Sequence, residues 1–116
     1  MTPNPAATPE PPPKGDGPMV LPRLLRLIRD MGTQFSDSAR LVIETDLAAR
    51  AAFGARKYGT PLRANNGRDP MNDAYQEALD LLAYLAQADL ESRNVRLFFE
   101  QAAHLAVALK QHKEGP

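Results

Sequence analysis

The chain of 116 residues contains no cysteine. That excludes disulfides, thiolate nucleophiles and cysteine-ligated metals, while leaving the redox compartment open. It also lacks net charge, with fourteen Lys and Arg against fourteen Asp and Glu. No global field is available to recruit nucleic acid, and no nucleic-acid partner is expected. No apolar run approaches the length that spans a bilayer, and the N-terminus has no apolar core of a signal peptide. The expectation is a soluble, cytoplasmic protein with no membrane partner.

Proline is plentiful, and unevenly placed. Seven of the eleven prolines fall in the first 18 residues. Residues 1–18 therefore read as a disordered or polyproline-like tail, with recognition through Pro11-Pro12-Pro13 as the alternative. Residues 19–113 remain for one small all-α domain, a four-helix bundle.

Four helices account for that domain. The first is expected from 21 to 31, with Pro22 in its first turn, an apolar set of Leu24, Leu25, Leu27, Ile28 and Met31, and Gly32 as its stop. The second is expected from 36 to 58, with Ser36 or Asp37 as N-cap and Gly59 just past its end. A polar loop with an Asn66-Gly67 turn signal closes on Asp69-Pro70, a good N-cap and N1 pair. The third helix is expected from 70 to 91. The fourth is expected from 93 to 112, with Val95, Phe98, Phe99, Ala102, Ala106 and Leu109 as its apolar stripe. Helix three has more apolar surface than three short neighbours cover, which predicts a homo-oligomer, a dimer or tetramer.

The chemistry concentrates on helix three, in Asp73-Ala-Tyr-Gln-Glu77-Ala-Leu-Asp80-Leu-Leu-Ala-Tyr84-Leu85. At about 100° per residue, Asp73, Glu77, Asp80 and Tyr84 fall within roughly 60° of one another. A carboxylate in so apolar a helix is expected to neutralise, pair or bind a cation. On helix two, Glu44 lies among Leu41, Leu47, Ala48, Ala51, Ala55 and Tyr58, and Asp37 projects in nearly the same direction. Asp46, Arg50 and Lys57 share another side and read as a solvated charge stripe. Packed face to face, the two helices would bring Glu44, Glu77 and Asp80, with Asp73 or Asp37, into one pocket. Such all-oxygen ligation suits Mg²⁺ or Mn²⁺. The alternative is that these acids pair with Arg40, Arg50 or Lys57, or face water.

Arg56, Lys57, Arg63 and Arg68 cluster around the loop between the acid-bearing helices. A divalent metal beside such cations is the combination phosphoryl chemistry uses. His104 and His112 read as structural or solvated residues.

Gly54-Ala-Arg-Lys-Tyr-Gly-Thr-Pro-Leu62, Asn66-Gly-Arg-Asp69 and the helix-three segment from Asp73 to Leu85 together resemble small phage-encoded relatives of the MazG-like, all-α nucleoside triphosphate pyrophosphohydrolases. The resemblance covers about half the chain, residues 37–87. It implies a Glu-x-x-Asp motif, matched by Glu77-Ala-Leu-Asp80, and a Glu-Glu-x-x-Glu motif on the preceding helix. Of the latter only Glu44 has a clear counterpart, with Asp46 and Asp37 as substitutes. The resemblance further implies Mg²⁺-dependent cleavage of a (deoxy)nucleoside triphosphate to monophosphate and pyrophosphate, in a bacterial or phage-infected cell. Glu44, Glu77 and Asp80 would then be catalytic and, with Asp73, hold the metal. Lys57, Arg63 and Arg68 would contact phosphates, and Tyr58 or Tyr84 would pack against sugar or base. A nucleotide or nucleotide-signal binder without hydrolysis, and a helical interaction module, are the other readings.

Overall fold

A computed structural model describes residues 6–7 and 14–114. Most of the proline-rich tail lies outside those residues. Among the described residues the structure is helical and has no strand. In order come α1 (Val20–Asp30), a single 3-10 turn (Gly32–Gln34), α2 (Asp37–Tyr58), α3 (Pro70–Leu90) and α4 (Arg96–Glu114). No helix among them is long and apolar enough to cross a membrane.

The helix ends follow local chemistry. Ser36 caps α2 by accepting the Ala39 amide at 3.1 Å, satisfying a donor that the helix itself cannot. Gly59 ends the same helix in the left-handed region, at φ +74°, where a side chain would be strained. Asp69 caps α3 through the Met71 amide at 3.0 Å, and Pro70 follows at N1, where its missing N–H costs nothing. At the far end of α3, Arg93 N donates to Ala88 O at 2.9 Å and Ser92 N to Asp89 O at 3.0 Å. This is a Schellman closure with Ser92, at φ +66°, in the position glycine usually takes. The closure consumes residues 91–93, so α4 starts at Arg96, three residues later than its composition predicts.

The chain divides into two compact units, one within Pro11–Arg68 and the other built on Asp69–Pro116. In the second unit α3 packs on α4. Its buried apolar residues are Ala78, Ala102 and Ala106, small side chains that let two helix axes approach closely. Lys110 on α4 places its ammonium 5.4 Å from the centre of the Tyr75 ring on α3, within cation–π range. In the first unit α1 packs on α2, and neither helix has a fully buried residue. Between α1, the second half of α2 and residues 60–62 lies an apolar cavity of about 460 Å³, lined by Leu21, Leu24, Leu47, Ala51, Ala55 and Leu62 among others.

Large apolar side chains remain exposed in both units, including Leu41 and Val42 on α2, Leu81 and Leu90 on α3, and Leu97 and Phe98 on α4. Leu41 and Tyr58 thus lie outside the half-buried stripe of α2, which is formed by Arg40, Glu44, Leu47, Ala51, Gly54 and Ala55.

Candidate functional site

The candidate residues fall into two sets, one in each unit. On α3, the buried face runs through Ala78. Asp80, two residues on, points about 200° away from it, and Asp73, Glu77 and Tyr84 share that side. Asp80, Glu77 and Tyr84 are exposed and Asp73 is half-buried. The acidic strip therefore faces away from α4. Here the expectation from sequence needs correcting. Asp80 is not a carboxylate held inside an apolar helix, because α3 packs along one side and leaves its acidic side open. An exposed carboxylate keeps its hydration and carries no burial cost to relieve.

Glu44 is in a different situation. Its side chain is only 16 % exposed, and two guanidiniums approach it. Arg29, from α1, places Nη2 3.5 Å from Oε2, and Arg40, one turn earlier on α2, places Nε 3.6 Å from Oε1. Both distances are ion-pair contacts longer than good hydrogen bonds, and Oε1 makes no hydrogen bond. Asp37 is nearly fully exposed and meets Arg40 Nη2 at 3.4 Å. Of the pairings expected as the alternative to a metal, the one with Arg40 forms. Arg50 instead lies 5.0 Å from the Phe53 ring centre and Lys57 5.3 Å from that of Tyr58, both exposed along with Asp46.

The basic loop is more ordered than its composition indicates. Arg63 is half-buried and donates from Nη1 to the Gly17 carbonyl at 3.0 Å. Arg68 is half-buried, borders the apolar cavity and donates its backbone amide to Asn66 Oδ1 at 3.1 Å. Asn66 is itself buried, as is Asn72 in the first turn of α3. Arg56 is exposed.

Among the described residues no group of three or more His, Asp or Glu side chains is gathered to hold a metal ion. On α3, Glu77 and Asp80 are three residues apart on one exposed face and Asp73 is four residues before Glu77, a helical spacing of carboxylates that are not gathered around one point. Glu44 does not fit as it stands, since two guanidiniums already neutralise it. Residues that the sequence did not single out are Arg29, Gly17 and Asn72, and Asn66 was singled out only as part of a turn. Arg29 carries no signal beyond its place in the last turn of α1. The Gly15-Asp16-Gly17 spacing was there to be read, but within a proline-rich stretch it merges with the tail.

Comparison with known proteins gave no matching family model, curated protein or solved structure. The functional reading therefore stands on the chain's own residues.

Proposed function

We propose that the chain is a Mg²⁺-dependent nucleotide pyrophosphohydrolase that converts a (deoxy)nucleoside triphosphate to the monophosphate and pyrophosphate. The observation that carries this reading is the acidic side of α3, with Glu77 and Asp80 exposed and Asp73 half-buried beside them, turned away from the packed face. Glu77 and Asp80 would hold the metal, with Asp73 as an additional ligand. Bound Mg²⁺ would supply charge neutralisation of the phosphates and a water of lowered pKa. The chain's own groups do the rest. Arg63 and Arg68 offer guanidinium donors to phosphate oxygens, and Lys57 offers a point charge. Tyr58 and Tyr84, both exposed, present ring faces on which a base or sugar can stack.

A second reading is favoured by one specific observation. Because Glu44 is committed to Arg29 and Arg40, the carboxylate that would complete the metal set is spoken for. The protein would then bind a nucleotide or a nucleotide-derived signal without hydrolysing it. A Mg²⁺-supplemented assay for pyrophosphate release across common and modified triphosphates separates the two. Turnover that disappears in Asp80→Asn and Glu77→Gln supports the enzyme. Saturable binding in calorimetry with no product supports the binder. Neither turnover nor binding leaves the helical interaction module.

Self-association belongs to both readings. The exposed Leu41 and Val42 in one unit and Leu97 and Phe98 in the other leave apolar side chains open to solvent, and a homo-oligomer would cover them.

A further inference from the structure

Residues 14–18, which composition assigns to the proline-rich tail, lie together with Met19 against the loop that precedes α3. Their backbone runs antiparallel to residues 62–66, with a regular pair of hydrogen bonds at the Met19 end and one further bond, out of that register, at Lys14. Val20 N donates to Leu62 O at 2.9 Å, Ala64 N to Pro18 O at 2.8 Å, and Lys14 N to Asn66 O at 3.1 Å. Met19 and Arg63 face each other between the first two of these bonds, at the end of the strap next to α1. Glycine permits this close approach. A methyl group on Gly17 would overlap the Ala64 carbonyl oxygen, and one on Gly67, at φ +85°, would stand 2.8 Å from Lys14 Cε. Pro18 limits the freedom of the strap itself, so less entropy is lost in laying it down.

The strap ends on a side chain of the candidate site. Gly17 offers its carbonyl to Arg63 Nη1 at 3.0 Å, across 46 residues of sequence. A guanidinium is a planar fork of five donors. With one Nη anchored to a fixed carbonyl, the plane is set, and the remaining donors are held ready for a planar or tetrahedral oxyanion. A free surface arginine would have to give up that rotational freedom on binding.

We propose that the strap of residues 14–19 is the positioning element for Arg63: through the Gly17 carbonyl it pre-orients the guanidinium as a phosphate-binding fork. Gly17 is a positioning residue, not a catalytic one. The anion half of this assignment rests on the polyphosphate reading above; the orientation half does not.

The test uses the full chain, inorganic tripolyphosphate as the probe, and ¹⁵N-resolved signals of the Arg63 side chain. In the wild type, the Arg63 Nη protons are expected as distinct, slowly averaging signals. Gly17→Ala should merge them and accelerate exchange of the Ala64 amide. It should also weaken tripolyphosphate binding by about tenfold, the size of one well-formed charge-assisted contact. In an Arg63→Ala background, Gly17→Ala should cause no further loss. A strap that acts only through stability would instead give additive losses, and additivity overturns the proposal. Freely averaging Arg63 signals in the wild type overturn it as well. Should Gly17→Ala fail to fold, Arg63→Lys decides: it keeps the charge but loses the fork. Weakening of about tenfold with Ala64 exchange unchanged supports the proposal, and wild-type affinity overturns it. A wild type that locks Arg63 yet ignores tripolyphosphate supports the strap and overturns the polyphosphate reading alone.

Discussion

Arg29 and Glu44 join the last turn of α1 to the first half of α2, with Nη2 3.5 Å from Oε2, while Arg40 reaches the other carboxylate oxygen. Two cations therefore share one largely buried anion. Neutralising that anion leaves two guanidiniums around it without a counter-charge. Glu44→Gln is expected to lower stability by about 1 kcal/mol, the upper end for pairs with one exposed partner. The loss should shrink at high salt, because Arg29 is mostly solvent-exposed. Chemical denaturation at two ionic strengths measures both; an unchanged midpoint in Glu44→Gln would sink the structural role. Arg29→Ala then separates the two uses of Glu44. If the carboxylate also serves a metal, freeing it should tighten Mg²⁺ binding in calorimetry, whereas unchanged affinity excludes Glu44 from the ligand set.

The acidic strip on α3 leads to the opposite expectation for stability. Asp80 and Glu77 are exposed and face away from α4. Asp80→Asn and Glu77→Gln should change unfolding free energy by no more than about 0.5 kcal/mol, the range of surface substitutions. Each should nevertheless abolish Mg²⁺-dependent pyrophosphate release. Full turnover in either variant removes that residue from the metal set.

Ser92 occupies a left-handed conformation at the end of α3, with φ +66°. A non-glycine residue there costs about 1 kcal/mol, and glycine also loosens the unfolded chain. The net expectation for Ser92→Gly is a gain of about 0.5 kcal/mol. It should appear as a higher urea midpoint with an unchanged slope. A lower midpoint would mean that the serine hydroxyl makes a contribution the backbone closure does not explain.

Exposed apolar side chains on α2 and α4 predict coupling between folding and assembly. The melting temperature should rise with protein concentration, and sedimentation should report a dimer or tetramer. Phe98→Glu, which puts a charge on an exposed apolar face of α4, should lower the assembly state or the melting temperature at fixed concentration. Melting that is independent of concentration, with a monomer in sedimentation, overturns self-association.

Much of the secondary structure was legible because its signals are local. Ser36, Asp69-Pro70 and Gly59 each act within a few residues of where they stand, so α2 and α3 begin and end where their sequences indicate. The start of α4 at Arg96 is not legible in the sequence, because the closure after α3 is made by backbone groups of Ser92 and Arg93, which leave no compositional mark. The strap was hidden for the same reason. Its hydrogen bonds run backbone to backbone, and its one side-chain contact links Arg63 to a carbonyl that any residue at position 17 would offer.

Sequence alone determined that the chain is helical and that Asp73, Glu77, Asp80 and Tyr84 share one side of α3, because caps and the 3.6-residue period depend only on near neighbours. Tertiary structure decided how each carboxylate is solvated. The α3 side through Ala78 is the one that packs, which leaves Asp80 in water. Arg29, fifteen residues before Glu44, takes up that carboxylate, and Gly17 takes a donor from Arg63. The acidic strip that looked like a burial problem is an open face, and the burial problem belongs to Glu44. Contacts between distant segments depend on which surfaces meet, and no local periodicity records that.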